Sequence, residues 1–311
     1  MTAHSYLDLL QPVDLKKRLN ANELVNQKND LFDLLQTHNL IKTKVGAKHL
    51  VFFSLKHGAG SSELAFNTAL YLAENHKVLY LTTELNNSIF YEYQLDIKHK
   101  ILNTLTDLND FESKIIHYSD LKSKFDKDNS LQFMKRNLKQ FFPTNLDYLE
   151  VSPEFQAELI QYEDDQISRI LSDVSVYANS KYDFIIIDAE NDLHNLVTQL
   201  WLNYSSDLIL VFTQNITHVN RVGNLLETVD MKMPDTNVYP VVNLYTENTI
   251  RDLEAPYLNN LIGEDTLAAV PLMYESYQNA AYNGIPIIYY EKNGSTRNAI
   301  RKIISSLDLN R

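Results

Sequence analysis

LVFFSLKHGAGSSELAFNTALYLAEN, residues 50–75, changes character twice along its length. Its opening, LVFFSL (50–55), is a short, nearly continuous apolar run of buried-strand type. A glycine-bearing turn, LKHGAGSSE, follows, and after it Leu64, Ala65, Ala69, Leu72 and Ala73 recur on one face of a helix. The reading is strand, loop, helix. Gly makes up only 7 of the 311 residues, well under the usual ~7%, so the placing of Gly58 and Gly60 in this turn is informative. Glycines let backbone N–H groups turn inward and a helix N-terminus adds partial positive charge, which is what a phosphate loop requires. A plain strand-to-helix turn has the same local pattern.

Outward from this unit, KVLYLTTEL (77–85), YDFIIID (182–188), DLILVFT (207–213) and NVYPVVNLY (237–245) are further apolar, β-rich runs, and helical stretches separate most of them. Such alternation predicts parallel βαβ units with helices on both faces, an α/β doubly wound class. LDYLEVS (146–152) is a candidate short core strand. Residues 1–45, with Leu24, Leu31, Phe32 and Leu35 at helical spacing, read as a helical N-terminal extension to an α/β domain over 46–311. A helical insertion is expected at about 86–145.

The chain carries 28 Lys+Arg against 40 Asp+Glu, a net charge of −12, which argues against binding nucleic acid through phosphate neutralisation. Between Asp147 and Asp192 twelve Asp/Glu face only Arg169 and Lys181, a stretch read as a solvated helix face. No apolar run approaches the ~18–20 residues that span a bilayer, and the N-terminal stretch lacks the pattern of a secretory signal, so a cytoplasmic location is expected. The absence of cysteine excludes disulfides, thiolate zinc sites and a Cys nucleophile. His49, His57, His76, His99, His117, His194 and His218 show no zinc-ligand spacing and read mostly as surface groups.

Lys56-His57-Gly58-Ala59-Gly60-Ser61-Ser62, running into Ala65, Asn67, Ala69 and Leu72, resembles the deviant Walker A motif and following helix of the ParA/MinD class of P-loop ATPases. YDFIIID resembles that family's Walker B strand, with Asp188 at the Mg²⁺-proximal position. VVNLY puts Asn243 where the family holds an Asn against the adenine edge, and AAVPLMYESYQNAAYNGIPII resembles its C-terminal signature, with Pro271, Ala280, Gly284 and Pro286 near matching positions. The resemblance covers roughly 46–308 with the four motifs in order. It implies ATP and Mg²⁺ as cofactors, a face-to-face homodimer, Ser62 and Asp188 as metal ligands, and a base pocket from Asn243, Pro271 and Leu272.

Departures from the motif change the expected chemistry. Ser61 stands where the motif lysine reaches the β/γ-phosphates, while the lysine that serves the opposite subunit is present as Lys56. His57 replaces the first glycine. On the second strand Thr82 replaces the first Asp and Glu84 takes the place of the second, in position to orient water. A hydroxyl cannot supply the cation that offsets developing phosphate charge, so hydrolysis is expected to be weak or absent. Together these features are similar to the TadZ/CpaE branch, localisation factors of Tad-type pilus and secretion machines, which implies a positioning or scaffold role with protein partners at the inner face of the membrane. Two alternatives remain open: a working ATPase using Lys56 in trans with Glu84 and Asp188, and an interaction module with a vestigial loop. The C-terminal Ile300, Ile303, Ile304 and Leu307 read as a helix packing on the sheet rather than a membrane-targeting one. Lys135, Arg136 and Lys139 beside Phe141 and Phe142 read as a face for a protein partner.

Overall fold

The computed structural model describes residues 46–82, 111–120, 142–151, 176–191, 205–232, 236–246, 267–283, 285–291 and 294–307, together with 122, 155, 198 and 202. The expected N-terminal extension, most of the insertion, the basic-aromatic patch apart from Phe142, Glu84 and Gly284 lie outside them. Seven strands form one parallel sheet: β1 (Lys48–Phe53), β2 (Val78–Thr82), β3 (Leu146–Glu150), β4 (Phe184–Asp188), β5 (Asp207–Phe212), β6 (Asn237–Tyr245) and β7 (Ala268–Pro271), in the order β3-β2-β4-β1-β5-β6-β7. The doubly wound α/β class expected from the strand runs is the observed one. LDYLEVS does contribute a strand, pairing Tyr148 with Tyr80. AAVP, part of the C-terminal motif in the sequence, is β7, and its four residues are too few to show a period.

β1 lies between β4 and β5, so both of its faces must be covered. Leu50 and Phe52 pack into one core with the helix α1 (Ser61–Ala73), while Val51 and Phe53 pack into the other with Val219, Val222, Leu225 and Leu226 of a second long helix (Ile216–Lys232). A continuous apolar run is what a strand buried on both faces needs. α1 departs from the one-faced reading: Phe66 and Leu70 are buried as well as Leu64, Ala65 and Ala69, because the C-terminal helix (Ser295–Ser306) and a short helix (Ile287–Tyr290) cover its outer side. Ile300, Ile303, Ile304 and Leu307 all enter that core, as their spacing predicts. At the rim, the Arg297 guanidinium pairs with the Glu74 carboxylate and lies 5.4 Å from the Tyr71 ring centroid.

Asn67 shows how a polar residue survives inside a buried helix. Its Nδ2 donates to Glu63 O at 2.8 Å and Glu63 Oε1 at 2.7 Å, and its Oδ1 accepts the backbone N–H of Ile288 at 3.1 Å. That N–H belongs to the first turn of the short helix, where no intrahelical acceptor exists. Two of the acids read as part of a solvated helix face stand on or beside strands instead: Asp147 on β3 accepts the Tyr182 hydroxyl at 2.9 Å and pairs with His117, and the exposed Asp183, just before β4, accepts Lys77 N–H at 2.8 Å. His49 is buried, with Nε2 2.9 Å from Asn179 Oδ1, and burial lowers its pKa, so it is not one of the surface histidines.

Replacing Asn67 by Leu would leave the Ile288 N–H buried and unbonded. Urea unfolding of this variant is expected to show a loss of about 1–3 kcal/mol, the cost of such a group.

Candidate functional site

All seven strands point their C-terminal ends to the same edge of the sheet, and in open parallel sheets that edge is where ligands bind. β1 leaves it through residues 54–60, where Ser54 Oγ donates to Lys56 O at 3.1 Å. Gly58 (φ 80°) and Gly60 (φ 78°) are both left-handed, and Gly60 is the N-cap of α1. The two glycines serve different needs. A Cβ on Gly58 would meet nothing within 4 Å, so only its backbone conformation asks for glycine. A Cβ on Gly60 would stand 2.3 Å from Asn243 Nδ2, so here close approach adds a second reason.

Lys56, His57 and Gly58 are exposed, Ala59 and Ser61 are buried, and Gly60 and Ser62 are intermediate. Ser61 is the first residue of α1; its Oγ is buried without a hydrogen-bond partner, and no side chain caps the helix. An uncapped start of a long helix, behind a left-handed glycine loop, offers backbone donors and positive potential to an anion.

Asp188 ends β4 directly beside β1, in register with Phe52, and Ala189 N–H donates to Phe52 O at 3.1 Å. It is fully buried. Its Oδ2 accepts the Tyr80 hydroxyl at 2.9 Å and lies 3.5 Å from Thr82 Oγ1, both from β2 on its other side. Thr82, where the motif has an acid, is therefore part of the carboxylate's surroundings.

Asn243, near the end of β6, reaches past β5 to the loop: its Nδ2 donates to Ala59 O at 2.8 Å and lies 3.5 Å from Gly60 O. Its Oδ1 is buried without a partner. The next residue, Leu244, holds φ 55° at the irregularity in the β6–β7 pairing. A non-glycine residue in that region stores strain of order 1–3 kcal/mol, as is found around binding sites. Pro271 pairs with Tyr245, and Leu272, half-exposed, donates its N–H to Tyr245 O at 2.8 Å, so both stand at the strand ends next to Asn243.

Two polar groups here were not singled out from sequence as site residues. Gln214, just after β5, clamps the chain after β6, accepting Thr246 N–H at 2.8 Å and donating to Thr246 O at 3.1 Å. His218, whose Nδ1 is 2.9 Å from Thr213 Oγ1, is buried rather than a surface group, and burial together with the Lys56 and Arg221 cations lowers its pKa. The polar run Thr213-Gln214-Asn215 closing an apolar strand was the available signal. The structure thus gathers Lys56 to Ser62, Asp188, Asn243, Pro271 and Leu272 at one edge.

No protein-family model and no curated protein matches the chain. Solved structures do. A ParA family ATPase from Chlorobium tepidum superposes with TM-score 0.55 at 20% identity, over 82% of this chain and 96% of the other. MinD in the MinC:MinD complex of Aquifex aeolicus gives 0.57 at 16% identity over 83% and 96%. The septum site-determining protein MinD from Pyrococcus horikoshii, complexed with Mg-ADP, gives 0.54 at 19% identity over 84% and 96%. The chain has the ParA/MinD type of P-loop fold.

Gly60→Ala is expected to destabilise the protein by more than the ~1 kcal/mol of a left-handed alanine alone, because the new methyl collides with Asn243. Part of that loss should be recovered in the Gly60→Ala/Asn243→Ala double variant, measured by thermal and urea unfolding.

Proposed function

We propose that the chain binds ATP at the 56–62 loop as a degenerate ParA/MinD-like protein, hydrolyses it at or near background, and acts as a dimeric positioning or scaffold factor. The observation that carries this reading is the pair of left-handed glycines in front of the uncapped α1, with the buried, unpartnered Ser61 hydroxyl at its first turn. Backbone N–H groups of 58–62 would hold the phosphates. The unpartnered Asn243 Oδ1, beside Pro271 and Leu272, suits an amino-bearing base edge. A hydroxyl from Ser62 and the carboxylate of Asp188 are the oxygen donors Mg²⁺ prefers. The ion would supply charge neutralisation on the phosphates. The similar structure solved with Mg-ADP supports a nucleotide together with Mg²⁺.

Ser61 brings no charge to the phosphates, which is why turnover should be slow. Lys56 is exposed, in keeping with a role toward a second subunit rather than its own phosphates, and the same exposure supports the second reading, an ATPase completed in trans with Glu84 orienting water. No helix among the described residues is long and apolar enough to cross a membrane, and the isoleucines of the C-terminal helix are spent on the core. Membrane association would accordingly run through protein partners of an assembly such as a Tad-type pilus or secretion system, from the cytoplasmic side. A net charge of −12 makes nucleic acid an unsuitable partner.

Titration with labelled ATP tests binding, and phosphate release tests turnover. Turnover comparable to an ordinary ParA-like enzyme would overturn the pseudo-enzyme reading. Ser61→Lys is expected to tighten ATP by tenfold or more, since a charge-assisted contact contributes about 1.5–3 kcal/mol.

Sedimentation should show association strengthened by ATP and Mg²⁺ in the wild type. In Lys56→Ala that dependence should vanish while the fold is kept. Identical profiles with and without nucleotide in both proteins would leave the dimer unsupported.

A further inference from the structure

Ser61 Oγ, Asn243 Oδ1 and His218 Nε2 are all buried at the loop edge without a hydrogen-bond partner among the described residues. Native structures rarely leave such atoms alone, and several at one edge point to a ligand that completes them. The Asn243 oxygen can only accept. His218 Nε2 is of the opposite kind. Its residue is 6% exposed, and Nδ1 lies 2.9 Å from Thr213 Oγ1. That hydroxyl also accepts the Asn215 N–H at 3.4 Å, so its own proton is left for Nδ1. In a neutral imidazole the ring proton then sits on Nε2, a buried donor with nothing to receive it.

The register of the sheet places this donor against the glycine loop. Phe53 of β1 pairs with Leu210 of β5, and three residues beyond each stand Lys56 and Thr213. His218 follows in the first turn of the helix Ile216–Lys232. The charged groups acting on it are Lys56, from the loop, and Arg221, one turn on along its own helix, and both are exposed. Burial, with these two cations, holds the imidazole below its ordinary pKa and so neutral at pH 7. Two cations around an unsatisfied donor suit an anion, and the uncapped start of α1 beside them suits a phosphate.

We propose that His218 is a phosphate-contacting residue, whose Nε2–H donates to a phosphate oxygen held beside Lys56. This deepens the ATP-binding reading and rests on it for the source of the phosphate; the contact itself is also tested with pyrophosphate. An oxyanion at Nε2 favours the charged imidazolium, so it raises the pKa that burial and the cations lower, and binding takes up a proton. Affinity should therefore tighten as the pH falls through the bound-state pKa and level off below the free-state one.

NMR of the full chain labelled with ¹⁵N-histidine, with the His218 signals assigned by their loss in His218→Gln, reads the tautomer and the titration. The free protein should show the Nε2–H form, and ATP with Mg²⁺, or pyrophosphate, should raise the pKa by about one unit. A rise in dilute monomer assigns the phosphate to the chain's own nucleotide, and a rise confined to the sedimenting dimer assigns it to that of a second copy. With a fluorescent ATP analogue, His218→Phe should bind about tenfold more weakly, while His218→Gln, which keeps a neutral donor near the same place, should recover most of the loss. Between about pH 8 and 6 the wild type should gain up to about tenfold over His218→Gln, the titration of the ligand being common to both. Urea unfolding checks that the variants keep the fold. If pyrophosphate moves His218 and ATP does not bind, the ATP-binding reading falls and the phosphate contact stands. A His218 pKa unmoved by either ligand overturns the proposal, as does nucleotide binding whose strength and pH profile are the same in wild type, His218→Phe and His218→Gln.

Discussion

Parallel pairing of all seven strands is the constraint on which the rest of the molecule depends. Parallel neighbours require crossovers, crossovers put helices on both faces, and helices on both faces demand strands that are apolar on both sides. β1 meets that demand with Leu50 and Phe52 toward one core and Val51 and Phe53 toward the other. The same constraint sends every strand end to one edge, so that chemistry from β1, β2, β4, β5, β6 and β7 collects there although the residues are far apart in the chain.

Polar groups buried along that edge are tied to one another. Asn243 holds the carbonyls of Ala59 and Gly60 across an intervening strand, and Gln214 holds the backbone of Thr246 with both ends of its amide. Asn67 joins α1 to the short helix at Ile288. Each bond satisfies a group that would be costly alone, and each also sets the position of a neighbouring segment. The glycine loop is therefore held from the far side of the sheet as well as by its own turns. Its two left-handed residues and the strained Leu244 mark where ordinary backbone geometry gave way to that arrangement.

The distribution of charge at this edge differs from what a loop built for rapid phosphoryl transfer would need. The buried carboxylate is met by hydroxyls, the first turn of α1 carries a serine at its start, and the lysine is on the outer, exposed part of the loop. Neutral donors can hold an anion but do not offset a growing negative charge on it as a cation does.

The strand runs, the glycine turn and the apolar spacing of the C-terminal helix were legible along the chain, because strand burial and helical periodicity are local patterns that need no partner to be recognised. The α/β class followed from them, and the loop residues and Asp188 could be named from motif order. β7 was not legible, since four residues cannot display a period and its pairing with β6 is what makes it a strand. Nor were the burial of His49 and His218, the contact between Asn243 and Gly60, the left-handed Leu244 or the bond from Tyr80 to Asp188. Each depends on which strands lie side by side, and strand order in a sheet is decided by the packing of the whole chain rather than by any segment of it. Tyr80 reads in the sequence as one more apolar strand residue; only the placing of β2 beside β4 turns its hydroxyl into the partner of a buried carboxylate.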